Sequence, residues 1–159
     1  MIFVTVGSDL PFDRLVKEID QWARQSGRAD VFAQIGRTPW RPAAIQSCAF
    51  LHPQEYKEHM ARASVIIAHA GMGTILSALK MRKPILVFPR RAALKEVRNE
   101  HQLATARYLA ESGRVRVAFD EPELRRELNS LAELRPGSAI PDFANESLLR
   151  AIRDFIATA

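Results

Sequence analysis

Short apolar runs rich in β-branched residues alternate along this chain with segments of helical period. Ile2 to Val6 is such a run, ended by Gly7, and Val31 to Ile35 is another, ended by Gly36. Ser47 to Leu51, Val65 to Ala68, Ile85 to Phe88 and Val115 to Phe119 complete the set. Each has the length and composition of a strand. From Pro11, apolar residues fall at Phe12, Leu15, Val16, Ile19, Trp22 and Ala23, which predicts a helix stopped by Gly27. Further helices are predicted from Pro53 to about Arg62, Thr74 to Met81, about Asn99 to Ser112, and Pro122 to about Leu134. A last helix from about Phe143 carries one apolar stripe, Leu148, Leu149, Ile152, Phe155 and Ile156, expected to pack on the sheet. Strands separated by helices cannot pair as hairpins. The pattern predicts an α/β fold, a parallel sheet covered by helices on both faces. No internal repeat or low-complexity segment interrupts it.

At 159 residues and 47% hydrophobic content, the chain is sized for one domain over residues 1–159, residues 141–159 being a C-terminal helix. It is too apolar to be disordered. No apolar run approaches the ~18 residues of a membrane span, and MIFVTVG lacks the basic start of a signal peptide. A lone Cys48 excludes an intramolecular disulfide and a multi-cysteine metal site, which points to a reducing, cytoplasmic setting. The formal charge is +5, and residues 82–98 hold six basic side chains against only Glu96. Read linearly, the excess is one local patch. That suits a phosphate-bearing ligand or a single surface better than a nucleic-acid track, which would also want an aromatic stripe.

Four of the seven glycines, Gly7, Gly36, Gly71 and Gly73, follow strand ends. In an open parallel sheet, ligands bind beyond the carboxyl ends of the strands. The densest cluster is His69-Ala70-Gly71-Met72-Gly73-Thr74, between a strand and a helix. Small residues there expose N–H groups at a helix N-terminus, an anion site suited to a phosphate or diphosphate. It is neither a Walker loop nor the dinucleotide fingerprint. Gly7 and Ser8 offer a second phosphate contact. Arg98-Asn99-Glu100-His101-Gln102 is a polar run whose side chains can read hydroxyl groups; Asn99 is also a candidate helix cap. The four histidines have no metal-ligand spacing.

The stretch ASVIIAHAGMGTILSALKMRKPILVFPRRAALKEVRNEHQLATA, together with the opening VTVGSDLPFDRLVKEID, resembles the C-terminal domain of family 28 glycosyltransferases. The pair HAGMGT and RNEHQLATA, joined by KPILVFPR, resembles most closely the free-standing bacterial exopolysaccharide subunits of the PssE type. The catalytic subunit of the eukaryotic dolichol-linked UDP-GlcNAc transferase is similar. The resemblance implies a Rossmann-like domain equivalent to the C-terminal half of a GT-B enzyme. It implies that His69, Gly71, Met72, Gly73 and Thr74 cradle a UDP diphosphate, with Gly7 and Ser8 facing the same phosphates. Asn99, Glu100, His101 and Gln102 fall in the segment that reads the donor sugar, and Phe50, Leu51 and His52 near the uracil. Arg90, Arg91 or Arg98 is expected to help hold the diphosphate or a donor carboxylate such as glucuronate. Where many relatives carry a ribose-binding Glu, this chain has Ser77.

The resemblance further implies a UDP-sugar donor, no cofactor and no metal. It implies a lipid-linked saccharide acceptor and a separate membrane-anchored subunit that binds it and supplies the general base. The protein would then work at the inner membrane face through that partner. A non-catalytic nucleotide-binding partner and a nucleotide-sugar hydrolase are the competing expectations.

Overall fold

The computed structural model describes residues 1–138 and 146–158. Six parallel strands, β1 (Ile2–Thr5), β2 (Val31–Gln34), β3 (Gln46–Cys48), β4 (Val65–Ala68), β5 (Ile85–Val87) and β6 (Arg116–Val117), form one sheet in the order β3-β2-β1-β4-β5-β6. β1 pairs on one side with β2 (Ile2 opposite Val31) and on the other with β4 (Ile2 opposite Val65). Strand order therefore reverses between β1 and β4, and a crevice opens beyond their carboxyl ends.

The period of two decides the cores. Ile2, Val4, Val6 and Ile67 face helices α1 (Asp13–Ser26) and α5 (Glu121–Asn129), through Leu15, Ile19, Leu124 and Leu128. Phe3, Ile66 and Ala68 face α2 (Pro53–Arg62), α3 (Met72–Lys80) and α4 (His101–Glu111), through Met60, Ile75, Leu79 and Ala106. Asp120 caps α5 by accepting the Glu123 N–H at 2.8 Å. Asp20 is buried in α1 and accepts the N–H groups of Ala44 (2.6 Å) and Ile45 (3.2 Å), which fastens the proline-rich loop to the sheet layer.

Three expectations need correction. α3 begins at Met72 rather than Thr74, with Gly71 as its N-cap, so Gly73 lies inside the first turn. The basic run 82–98 is not one patch. β5 runs through it and carries Arg82 and Lys83 to the amino end of the strand and Arg90 to Arg98 to the carboxyl end. Lys83 there caps α2, donating from Nζ to Ala61 O and Ala63 O. Finally, α6 (Glu146–Thr158) does not bury its stripe: Leu148, Ile152, Phe155 and Ile156 are all exposed. Phe143 and the rest of 139–145 lie outside the described residues.

Candidate functional site

A cleft of about 350 Å³ sits at the carboxyl ends of β1 and β4, where the strand order reverses. Of the twelve residues expected at a site, nine line it: Gly7, Ser8, His69, Gly71, Gly73, Thr74, Arg90, His101 and Gln102. Met72, Asn99 and Glu100 do not. Met72 is exposed on the outer side of the α3 start.

The floor of the cleft is the first turn of α3. No side chain caps this helix. The N–H groups of Met72, Gly73 and Thr74 have no carbonyl within the helix to bond, as at any α-helix start. A Cβ added at Gly73 would meet nothing within 4 Å, so the backbone here lies open to the cleft. Gly71 and Gly7 serve another purpose. A Cβ at Gly71 would stand 2.2 Å from Nε2 of His69, and one at Gly7 2.7 Å from its Cε1. The two glycines make room for the imidazole, and Gly7 also has φ of +80°, which a side chain disfavours.

His69 is neutral. Burial, helped by the Arg90 guanidinium and only partly offset by the polar Thr5 backbone nearby, pushes its pKa from 6.5 down to about 4. Its buried Nδ1 has no hydrogen-bond partner. Thr74 is buried and shares a hydroxyl–hydroxyl bond of 3.1 Å with Tyr56. Ser77 donates back to Gly73 O at 2.7 Å, so its hydroxyl is used by its own helix.

The second wall differs from expectation. Arg90 lines the cleft, but its four bonds from Nη1 and Nη2 go to the carbonyls of Pro11, Glu96, Val6 and Leu10. It therefore has no free fork for a donor carboxylate. Arg91 donates to Phe119 O at 2.8 Å, toward α5. Glu100 caps the short 3-10 turn Ala92–Leu94, its Oε1 accepting from Ala92 (2.9 Å) and Ala93 (3.3 Å), and does not line the cleft. Asn99 is not the N-cap, which is Glu100. It accepts the His101 N–H at 3.1 Å and also bonds Nδ1 of that ring, which orients it at the cleft rim. Gln102 is buried and accepts the Arg90 N–H at 3.2 Å.

Sequence reasoning missed Asp9 and Glu96, both lining the cleft, and Tyr56 behind it. Glu96 carried a signal, being the one acid in a basic stretch. It receives the Arg14 fork at 2.7 and 2.8 Å and the Arg91 N–H at 2.9 Å. Phe50, Leu51 and His52 follow β3, at the same edge of the sheet but outside the cleft. The Arg37 guanidinium lies 5.8 Å from the Phe50 ring centre, and Gln34 bonds both the Leu51 N–H (3.1 Å) and Gly7 O (3.2 Å). Among the described residues no three His, Cys, Asp or Glu side chains gather as a metal site.

A larger cavity of about 690 Å³ runs beside β6, between α4 and α5. Two of its four arginines pair with its own acids, Arg116 with Glu127 (3.5 Å) and Arg126 with Glu123 (3.9 Å), and among the described residues no uncapped helix N-terminus enters it. The smaller cleft is the better anion site.

The profile of the glycosyltransferase family 28 C-terminal domain matches residues 1–135. This chain belongs to that family. Among curated proteins it is 29% identical over 121 residues to the mouse UDP-N-acetylglucosamine transferase subunit ALG13, across 70% of this chain and 10% of the relative. It thus spans about a tenth of the length of the curated relatives it matches. The solution structure of an ALG13 superposes with a TM-score of 0.60 at 21% identity, covering 94% of this chain and 93% of that one. MurG of Acinetobacter baumannii superposes with 0.60 at 20%, over 82% of this chain and 40% of that one. At such identities the likeness is one of fold: the family 28 chain has the Rossmann-like α/β fold of its GT-B neighbours. No described helix is long and apolar enough to cross a membrane.

Proposed function

We propose that this chain is the donor-binding subunit of a two-component UDP-sugar glycosyltransferase, with the UDP diphosphate held in the cleft between β1 and β4. The observation that carries the reading is the uncapped start of α3, where Gly73 leaves the backbone open to the cleft. Breaking the anomeric C–O bond leaves negative charge on the diphosphate. Fixed N–H groups and the positive end of the helix dipole stabilise that charge with no reorganisation, and without a metal. His69, neutral in the free protein, can accept a proton or donate a hydrogen bond as the charge develops. His101 and Gln102 stand on the opposite wall, in reach of the sugar hydroxyls.

Acceptor binding and the general base are assigned to a separate membrane-anchored subunit. That assignment is supported by the family relation and by the word subunit in the names of the curated relatives. A lipid-linked saccharide acceptor, a place in exopolysaccharide synthesis and work at the inner membrane face rest on the PssE-type resemblance. Arg90 is engaged with four carbonyls and Arg91 reaches Phe119 O, so the carboxylate of a glucuronate donor falls to Arg98, exposed in the segment leading into α4. The test is calorimetric titration with UDP, UDP-glucuronate, UDP-GlcNAc and UDP-glucose, with and without the acceptor subunit. UDP release only with subunit and acceptor supports the transferase. Release to water without them supports a hydrolase, and no UDP binding under either condition supports a non-catalytic partner.

A further inference from the structure

Two of the chain segments that wall the cleft lie far apart in sequence. One is the turn after β1, Val6 to Leu10, and the other is the stretch from Glu96 to Gln102 leading into α4. A single guanidinium, 3% exposed, touches both. Arg90 donates from Nη2 to Val6 O (2.8 Å) and Leu10 O, and from Nη1 to Pro11 O (2.7 Å) and Glu96 O (3.2 Å). The Phe12 ring centre lies 4.7 Å from its Cζ. Three carbonyls of one turn are thus drawn toward one cation. Their oxygens repel each other, and the turn holds its curl because a rigid fork of donors stands at its centre. An ammonium group presents its donors from one atom and cannot span the same set.

Glu96 ties the second wall down from outside. Its carboxylate takes the Arg14 fork from the first turn of α1 and the Arg91 N–H. Gln102 closes the loop from the other end by accepting the Arg90 N–H.

We infer that Arg90 is a positioning residue that joins the phosphate-side turn to the sugar-side loop and fixes the spacing of the two walls. Naming the walls by phosphate and sugar rests on the donor-site reading; the mechanical coupling does not. Arg90 acts through the backbone carbonyls it holds.

Amide hydrogen exchange by NMR on the ligand-free chain tests the coupling in Arg90→Lys and Arg90→Gln variants. The Gly7 amide, bonded to Thr5 Oγ1 at 3.2 Å, reports one wall, and the Glu96 amide, bonded to Arg91 O at 3.2 Å, reports the other. Both are expected to exchange at least tenfold faster, with amides of β4 unchanged. Acceleration at one wall only, or at neither, overturns the inference. If neither variant folds, Glu96→Ala supplies the test, since it frees the loop without touching the buried guanidinium. Gly7 exchange should then quicken, and an unchanged rate there overturns the coupling. A second readout separates positioning from general loss of stability: the preference for UDP over UMP, as the ratio Kd(UMP)/Kd(UDP), should shrink at least fivefold in Arg90→Lys. An unchanged ratio rejects a role in ligand spacing. A wild-type chain that binds neither nucleotide rejects the donor-site reading while leaving the exchange result standing.

Discussion

Replacing Gly73 by alanine should make the protein more stable and a poorer binder at once. Gly73 lies in the first turn of α3, and its added Cβ meets nothing within 4 Å. Its φ is not among the positive values of this chain, so alanine fits the backbone without strain. Alanine in a helix is favoured over glycine by about 0.5–1 kcal/mol, largely because the unfolded chain loses freedom. For a chain of this length that raises Tm by about 1–4 °C. The same methyl group projects into the space where a diphosphate would approach the α3 amides. Losing one charge-assisted N–H···O contact costs about 1.5–3 kcal/mol, or roughly ten- to a hundredfold in Kd for UDP. Gly71→Ala is the contrast, because its Cβ would stand 2.2 Å from Nε2 of His69. It should destabilise by about 1–3 kcal/mol through displacement of a packed ring. Thermal melts and calorimetric titration of the pair suffice. A Gly73→Ala protein that binds UDP as the wild type does would refute the placement of the diphosphate. One that melts lower would refute the helical start at Met72.

Three further outcomes follow from the same geometry. His69 titrates at about 4 when folded and near its ordinary 6.5 when unfolded, so the unfolded state takes the proton first as the pH falls. Stability should be intact above pH 6.5 and drop by about 3 kcal/mol by pH 4 from this group; urea unfolding across that range should slope less in His69→Asn, and equal slopes would contradict the assignment. Asp20→Ala leaves one buried and one part-buried backbone N–H group without an acceptor, which should cost about 1–3 kcal/mol in denaturant unfolding. The Arg14–Glu96 pair is only 13% and 12% exposed, so a double-mutant cycle should give a coupling near 2 kcal/mol, between surface and buried norms.

The strands of the sheet were legible because burial on two faces leaves an unmistakable trace, as in Val65 to Ala68, observed where expected; the strand order, and with it the switch point, came from the structure. The glycine loop was legible for a similar reason: small residues between a strand and a helix have few other uses. Charge was harder to read. Arg90 and Arg91 look alike in sequence, yet one is a buried strut and the other reaches toward α5. Nothing local distinguishes a cation that meets a ligand from one that meets four carbonyls, since three of them belong to a turn some eighty residues earlier. The linear sum over 82–98 failed because β5 carries its two ends to opposite edges of the sheet. Asp20 did leave a trace, as a carboxylate beside Val16, Ile19 and Ala23 on the buried face of α1. The stripe of α6 misled, because amphipathic period shows that a face is apolar without showing what it meets.

The most direct measurement is a UDP titration of the ¹⁵N-labelled chain followed by amide NMR. The account predicts the largest shifts at Gly7, Ser8, Gly73 and Thr74, around the β1–β4 crevice. Shifts centred instead on Arg114 to Val117 would move the site to the β6 cavity, and the absence of any shift at millimolar UDP would contradict a donor site in this chain.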